Sequence, residues 1–256
     1  MLTSHLATYN DWGTDWFSHW ETEGQMVPNV IRKKRWEKVS ITQALYERGK
    51  LTAGSYGLGF GVGKESLPDF FASRGVNITA TDLPGAHKTA NSVCLGDLPN
   101  VVCPTSQFGK LVDYRPVDMN DIPTNLRDFD FVWSTSSLEH IGGIKAGSDF
   151  IIESLKCLKS GGVAVHATEY NLQGDKKTVD WSGLCLFKEQ DIRNIEQMCR
   201  AAGARLVDVD LTPGAHVNDQ YISVGMGAAD KPHITVRQTR SPRCVFTSIL
   251  LIIEKD

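Results

Sequence analysis

Six cysteines among 256 residues stand far apart, with no C-x-x-C pair and no zinc-like spacing, so neither a disulfide framework nor a structural zinc is indicated. The thiols read as reduced and buried or incidental. No apolar run approaches the ~18 residues needed to cross a bilayer, and the opening MLTSHLATYNDWGTDW lacks a charged segment followed by an apolar one. A cytoplasmic protein without a membrane partner is the expectation. Charge of one sign is also missing. The 27 Lys plus Arg and 30 Asp plus Glu leave a net charge of -3, so there is no global basic field to hold a phosphate backbone, which disfavours nucleic acid. Internal repeats and low-complexity tracts are absent.

What is present is an ordinary globular composition, 41% hydrophobic and 22% charged, enough for one large α/β domain with additions. Residues 1–50 differ from the rest: they hold four of the six tryptophans and no glycine-rich turn. Trp12, Trp16 and Trp20 recur every four residues and would share one face of a helix. That face either packs on the main domain or serves as a lid or a homodimer contact. Pro28-Asn29 offers a helix start and Gly49 a stop. The run Arg32-Lys33-Lys34-Arg35 reads as a solvated helix face or as a contact to an anionic acceptor. The organisation expected is an N-terminal helical extension or lid over 1–50 and a main domain over 51–256.

From residue 54 the chain alternates strand, loop and helix, which predicts a mostly parallel sheet with helices on both faces. The first strand runs into GLGFGVGKE, and a helix follows through Leu67, Phe70 and Phe71 to Gly75. VNITATD forms the second strand, with Val76, Ile78 and Ala80 inward, and a third lies near Leu111 to Val117. FDFVW is the fourth. The next helix carries Ile151, Leu155 and Leu158 and stops at Gly161-Gly162. VAVHAT is the fifth strand. A helix with Ile192, Ile195, Cys199 and Ala202 on one face precedes the strands LVDVDL and CVFTSILLII.

Ligands of such sheets bind outside the carboxyl ends of the strands. Five loops are thereby predicted to face one crevice: GLGFGVG, Asp82, Asp118, Ser134 to His140, and His166 to Asn171. Glycines allow close backbone approach, and the helix N-terminus beyond them offers free N–H groups. Gly59, Gly61 and Gly63 form G-x-G-x-G, and no register yields the dinucleotide pattern G-x-G-x-x-G. Asp82 ends its strand where a carboxylate accepts hydrogen bonds from ribose hydroxyls, or else starts the turn into Leu83-Pro84. Asp118 has the same two readings in MNDIP.

In this order GFGVG, TDLP, VDMNDIP, FDFVWSTSSLEHIGG and LKSGGVAVHATEYN resemble the class I S-adenosylmethionine-dependent methyltransferases over about residues 54–171. A vaguer likeness of GLGFGVGKE and HATEYNL is to methyltransferases that accompany glycan-building enzymes. The resemblance implies a Rossmann-like seven-stranded sheet whose last strand is antiparallel, with S-adenosylmethionine as cofactor. Gly59, Phe60, Gly61 and Gly63 would hold its methionine portion, Asp82 the ribose, Leu83 and Met119 the adenine faces, and Asp118 the adenine amino group, with Ser134 and Ser136 nearby. The family usually has an acid two positions before the first glycine of the triplet, and Gly57 stands there. Glu65, one turn into the next helix, is the candidate substitute.

A methyl acceptor must lose a proton, and a positioned base assists by ~10²- to 10⁴-fold. The candidates are His140, His166 and Glu169, although His166 among Val163 to Ala167 is equally a core histidine. A metal site from His140, His166, Glu169, His216 and Asp219 matches no recognised ligand spacing, so no metal is expected. The function read is methyl transfer to a hydroxyl or amine of a small molecule, sugar or glycan. A nicotinamide oxidoreductase and a non-catalytic S-adenosylmethionine-binding module are the alternatives.

Overall fold

The structure, a computed structural model, describes residues 1–24, 31–83, 96, 98–173, 178–220, 222–223, 232–238 and 244–256. The anticipated helix start at Pro28-Asn29 and Cys94 lie outside the described residues. The Rossmann-like part follows the predicted alternation. Strand β2 (Tyr56–Phe60) leads to α3 (Leu67–Ser73), β3 (Asn77–Asp82), α4 (Thr105–Leu111), β4 (Val112–Pro116), β5 (Phe129–Thr135) and α5 (Ile144–Leu155). Then come β6 (Leu158–Asn171), the hairpin β7 (Asp180–Trp181) and β8 (Leu184–Cys185), α6 (Glu189–Ala201), β9 (Ala204–Leu206) and β10 (Val209–Asp210). The short β11 (Ile222–Ser223) and β12 (Val236–Gln238) precede the long β13 (Cys244–Lys255). Ahead of all these stand β1 (Ser4–Leu6), a 3-10 turn at Tyr9–Gly13, α1 (Asp15–Glu23) and α2 (Lys33–Glu47).

The main sheet runs β10-β1-β13-β6-β5-β2-β3-β4, with β9 and β12 also on β13. Strands β2 to β6 pair in parallel, and β13 is antiparallel to β6. The sheet is therefore mixed and mostly parallel, as expected, but wider than seven strands. Among the described residues it counts 11. Alternate residues of β5 divide its two faces. Phe131 and Trp133 join Trp36, Val39 and Phe71 under α2 and α3, while Val132 joins Ile151, Leu155 and Ile195 under α5 and α6. Burial on both faces accounts for the nearly continuous apolar runs FDFVW and ILLII.

Several boundaries differ from the sequence reading. Helix α5 ends at Leu155, and Leu158 to Gly162 already belong to β6, which meets β5 through an irregular register between Phe129 and Phe131. A glycine pair reads as a helix stop whether it ends the helix or follows it. LVDVDL splits into β9 and β10, and Ala202 caps α6 from an exposed position instead of sharing its buried face. Residues 1–50 are not wholly helical, because β1 enters the sheet beside β13. Trp12 lies in the 3-10 turn, so the three tryptophans do not share one helix; Trp20 is buried, and Trp12 and Trp16 pack partly buried on the same core. Helix α2 stops as predicted, with Gly49 at φ 67° and Lys50 N–H donating to the Leu45 carbonyl at 3.0 Å.

Candidate active site

Strand order reverses at β2, whose neighbours are β3 and β5, so the loops leaving β2 and β5 diverge there and open a crevice. A cleft of about 640 Å³ occupies that place. Gly61 at φ 60° turns the chain directly under the β5 loop, where a Cβ would stand 2.7 Å from that of Ser137. Only a residue without a side chain permits this approach. Asp82 ends β3 and binds the glycine loop: its Oδ2 accepts from Gly63 N–H at 3.1 Å and its Oδ1 from Leu83 N–H at 2.8 Å. Asp118 Oδ1 accepts from Asn120 N–H at 2.8 Å, which sets Met119 against the cleft.

Of the residues expected on the cofactor, Gly61, Gly63, Asp82, Leu83, Asp118, Met119 and Ser136 line this cleft. Phe60 points away into the core against Phe150, and Ser134 is buried on His166. Gly57 is closed to any side chain, since a Cβ there would meet the Phe131 ring at 2.3 Å. Glu65 turns inward, its Oε1 accepting from the Trp133 indole N–H at 2.7 Å, and burial pushes its carboxyl up. The cleft thus offers S-adenosylmethionine a cradle at Gly61 and Gly63, a carboxylate at Asp82 and apolar walls at Leu83 and Met119. At the methionine end an aromatic ring fills the space of the usual acid.

His140 sits in a single 3-10 turn, Leu138–His140, on the cleft wall. The turn is held from several sides. His140 Nδ1 lies 2.8 Å from the Gly183 carbonyl, Ile144 N–H donates to Asp180 Oδ1 at 2.8 Å, and Asn120 Nδ2 donates to the Ile141 carbonyl at 2.9 Å. Ser136, at φ 44°, donates from Oγ to Glu37 Oε2 at 2.7 Å. His166 does not reach the cleft. It is fully buried between the hydroxyls of Ser134 (2.8 Å) and Ser154 (3.2 Å), and burial pushes its pKa down to about 3. It is a neutral core histidine, and the serines on both ring nitrogens satisfy it. His216 and Asp219 sit elsewhere, against Tyr9. Among the described residues no three His, Cys, Asp or Glu side chains gather as metal ligands.

Behind the turn lies a buried charged network. Lys33 Nζ, in the basic run, bonds Glu169 Oε1 and lies 3.5 Å from Glu37 Oε1. Burial works against the Lys33 charge, but Glu169 and Glu37 outweigh it and raise its pKa. Glu37 is fully buried, which pushes it up, yet Lys34, Lys33 and the hydroxyls of Ser248 (2.5 Å) and Ser136 hold it below the ordinary carboxylate range. Glu139 is also fully buried. Burial and the neighbouring Glu169 push it up to about 7. Arg35 pairs with Glu21 at 2.9 Å, so the basic run is not a solvated face; only Lys34 remains half-exposed. Sequence reasoning missed this network, because an isolated Glu139 and a lysine inside a basic run carry no period or motif. It also missed Lys64, Asn120, Ser137 and Ser182 on the cleft. Ser137 stands inside the quoted SSLEHIGG segment, whereas Ser182 comes from a hairpin with no motif of its own.

Residues 58–166 match the family model described as a methyltransferase domain. No curated protein matches the chain. Among solved structures, magnesium protoporphyrin IX methyltransferase from Synechocystis PCC 6803 with bound S-adenosylhomocysteine aligns at TM-score 0.54 and 13% identity, over 96% of this chain and 97% of that one. The 1,6-didemethyltoxoflavin-N1-methyltransferase of Burkholderia thailandensis, with its bound ligand and S-adenosylhomocysteine, aligns at TM-score 0.52 and 15% identity, over 96% and 88%. Against two further solved structures the chain spans 60% and 58% of their length. At these identities the likeness is one of fold.

Proposed function

We propose that residues 58–166, which match the methyltransferase-domain model, bind S-adenosylmethionine, and that this chain transfers a methyl group to a hydroxyl or amine of a small acceptor, with a sugar or glycan as the acceptor class to test first. One observation carries the reading. The glycine loop, Asp82, Leu83, Asp118, Met119 and His140 line a single cleft at the strand-order reversal. Gly61 and Gly63 would face the methionine portion, Asp82 the ribose hydroxyls, and Leu83 and Met119 the adenine. When bound, the cofactor supplies a methyl group already activated on a sulfonium.

The protein's own tasks are orientation, exclusion of water and proton removal. His140 is the group for the last. Its Nδ1 faces a carbonyl, which only accepts, so Nδ1 carries the hydrogen and Nε2 keeps a lone pair. The net charge of -3 and the engagement of Lys33 and Arg35 of the basic run with Glu169 and Glu21 argue against a polyanionic acceptor. Incubation with methyl-labelled S-adenosylmethionine and fractionated cell extract tests the acceptor class. Label in the small-molecule or glycan fraction is expected; label confined to protein or nucleic acid would overturn it.

A further inference from the structure

We propose that Glu139 is the positioning residue of His140, a buried carboxylate, backed by Glu169, that holds the imidazolium formed when His140 takes the acceptor's proton. The proposal rests on the reading of His140 as that proton's acceptor. Three observations lead to it. Glu139 Oε2 accepts from the Thr168 hydroxyl at 3.0 Å, but Oε1 is buried and has no hydrogen-bond partner among the described residues. That orphan oxygen lies 3.8 Å from His140 Nε2. Glu169 Oε2 is likewise buried with no partner among the described residues, while its Oε1 is held by Lys33.

Buried acceptor atoms without a donor are costly and uncommon in folded proteins. Here the missing donor is defined by the imidazole. With the hydrogen on Nδ1 and Glu139 ionised, neither Nε2 nor Oε1 carries a hydrogen to donate to the other. One added proton changes this. The acceptor's O–H or N–H bond breaks, its electron pair stays on the heteroatom to bond the methyl carbon as that carbon's bond to sulfur breaks and leaves its pair on the sulfur, and the proton joins Nε2. The resulting cation stands beside the orphan carboxylate oxygen. The proton then leaves through the exposed half of the imidazole.

Among the described residues, the charged and titratable groups facing Glu139 are Lys33 and Lys34 from α2, Glu169 from β6, His140 from its own turn and the Cys185 thiol from β8. Burial first, and then the Glu169 charge, keep the acid protonated up to about pH 7. Activity should fall as pH drops through that value, because a neutral Glu139 cannot balance an imidazolium.

Two measurements test the proposal, and the first needs no acceptor. In carboxyl ¹³C NMR the Glu139 resonance, assigned by its loss in Glu139→Gln, should titrate at higher pH in His140→Gln, which removes the cation that favours the carboxylate, and at lower pH in Glu169→Gln. A midpoint unmoved by His140→Gln overturns the proposal. In methyl-transfer assays Glu139→Gln should lower kcat about 10- to 100-fold, leave KM within about twofold, and lose the acid limb near pH 7, with Glu139→Asp restoring part of both. Should His140→Gln abolish transfer while Glu139→Gln keeps the wild-type rate and profile, Glu139 has no such role and the reading of His140 stands. If His140→Gln is itself fully active, the reading of His140 falls instead.

Discussion

Gly57 and Asp82 show how far one side chain decides what the cleft can hold. A Cβ at residue 57 would stand 2.3 Å from Phe131, so Gly57→Asp, which restores the family's usual acid, should destabilise the fold by about 1–3 kcal/mol through overpacking. Urea denaturation checks this, and Phe131→Ala in the same chain should relieve the clash. Asp82→Ala removes the acceptor of Gly63 N–H and Leu83 N–H. S-adenosylmethionine affinity by calorimetry should fall at least about tenfold, or ~1.4 kcal/mol. Glu139 makes a prediction about stability. Its folded pKa is raised from 4.5 to about 7, so the folded state keeps a proton that the unfolded chain releases. The associated stability is present below the unfolded value and lost as pH rises through about 7. Glu139→Gln, neutral at every pH, should therefore be more stable than wild type at pH 8.5 by up to about 3 kcal/mol, with the gain gone near pH 4.5. His166 has the opposite sense. Depressed to about 3 by burial, it loses stability as pH falls below 6.5, but equally in both proteins, so the difference isolates Glu139.

Helix α2 sets its N-terminal turn over the acid network and its middle over the sheet. Lys33 joins it to Glu169 on β6, and Glu37 joins it to Ser136 after β5 and Ser248 on β13. Removing one partner of a buried pair leaves the other charge uncompensated, so Lys33→Met should cost about 3–5 kcal/mol. Lys33→Met with Glu169→Met should cost less than the two single changes together, as a double-mutant cycle in urea would read. None of this was legible in the sequence, where RKKR has the composition of a solvated face. What reversed the reading is three-dimensional: Glu21 and Glu169 come from α1 and β6 and meet the run only after folding, and Glu37, one turn on in α2, is buried with Lys33 instead of facing solvent. The element boundaries that failed did so for a related reason. Gly161-Gly162 has the local chemistry of a helix stop, yet it sits inside β6, because the pairing with β5 and β13 extends the strand past it.

Over the whole molecule the alternation of apolar runs with glycine turns was enough to anticipate the parallel core, while the antiparallel last strand came only from the family resemblance. The glycine loop, Asp82, Asp118 and the SSLEHIGG segment lie on the cleft as their strand ends implied. Legibility ended where the sheet widened, at β1, β11 and β12, because strands of two or three residues are too short to show a period. Residues 1–50 contribute β1 to the sheet and α2 to one of its faces, so we expect them to melt with the rest. Tryptophan fluorescence, dominated by the N-terminal indoles, and far-ultraviolet circular dichroism should give coincident thermal transitions. Separate midpoints would mark the N-terminal segment as an independent unit.

The pairing of β1 with β13, His5 opposite Leu250 and Leu6 opposite Ile249, also orders events during synthesis. β1 is made well before β13 and must wait for it before that edge is satisfied. The same delay governs Glu37, whose Oε1 has no Ser248 to bind until β13 arrives. Domain cores that close over such sequence separations form slowly. A nascent chain can therefore shape its glycine loop while the helix that closes the acid network is still unlatched, and that network becomes whole only when β13 completes the sheet.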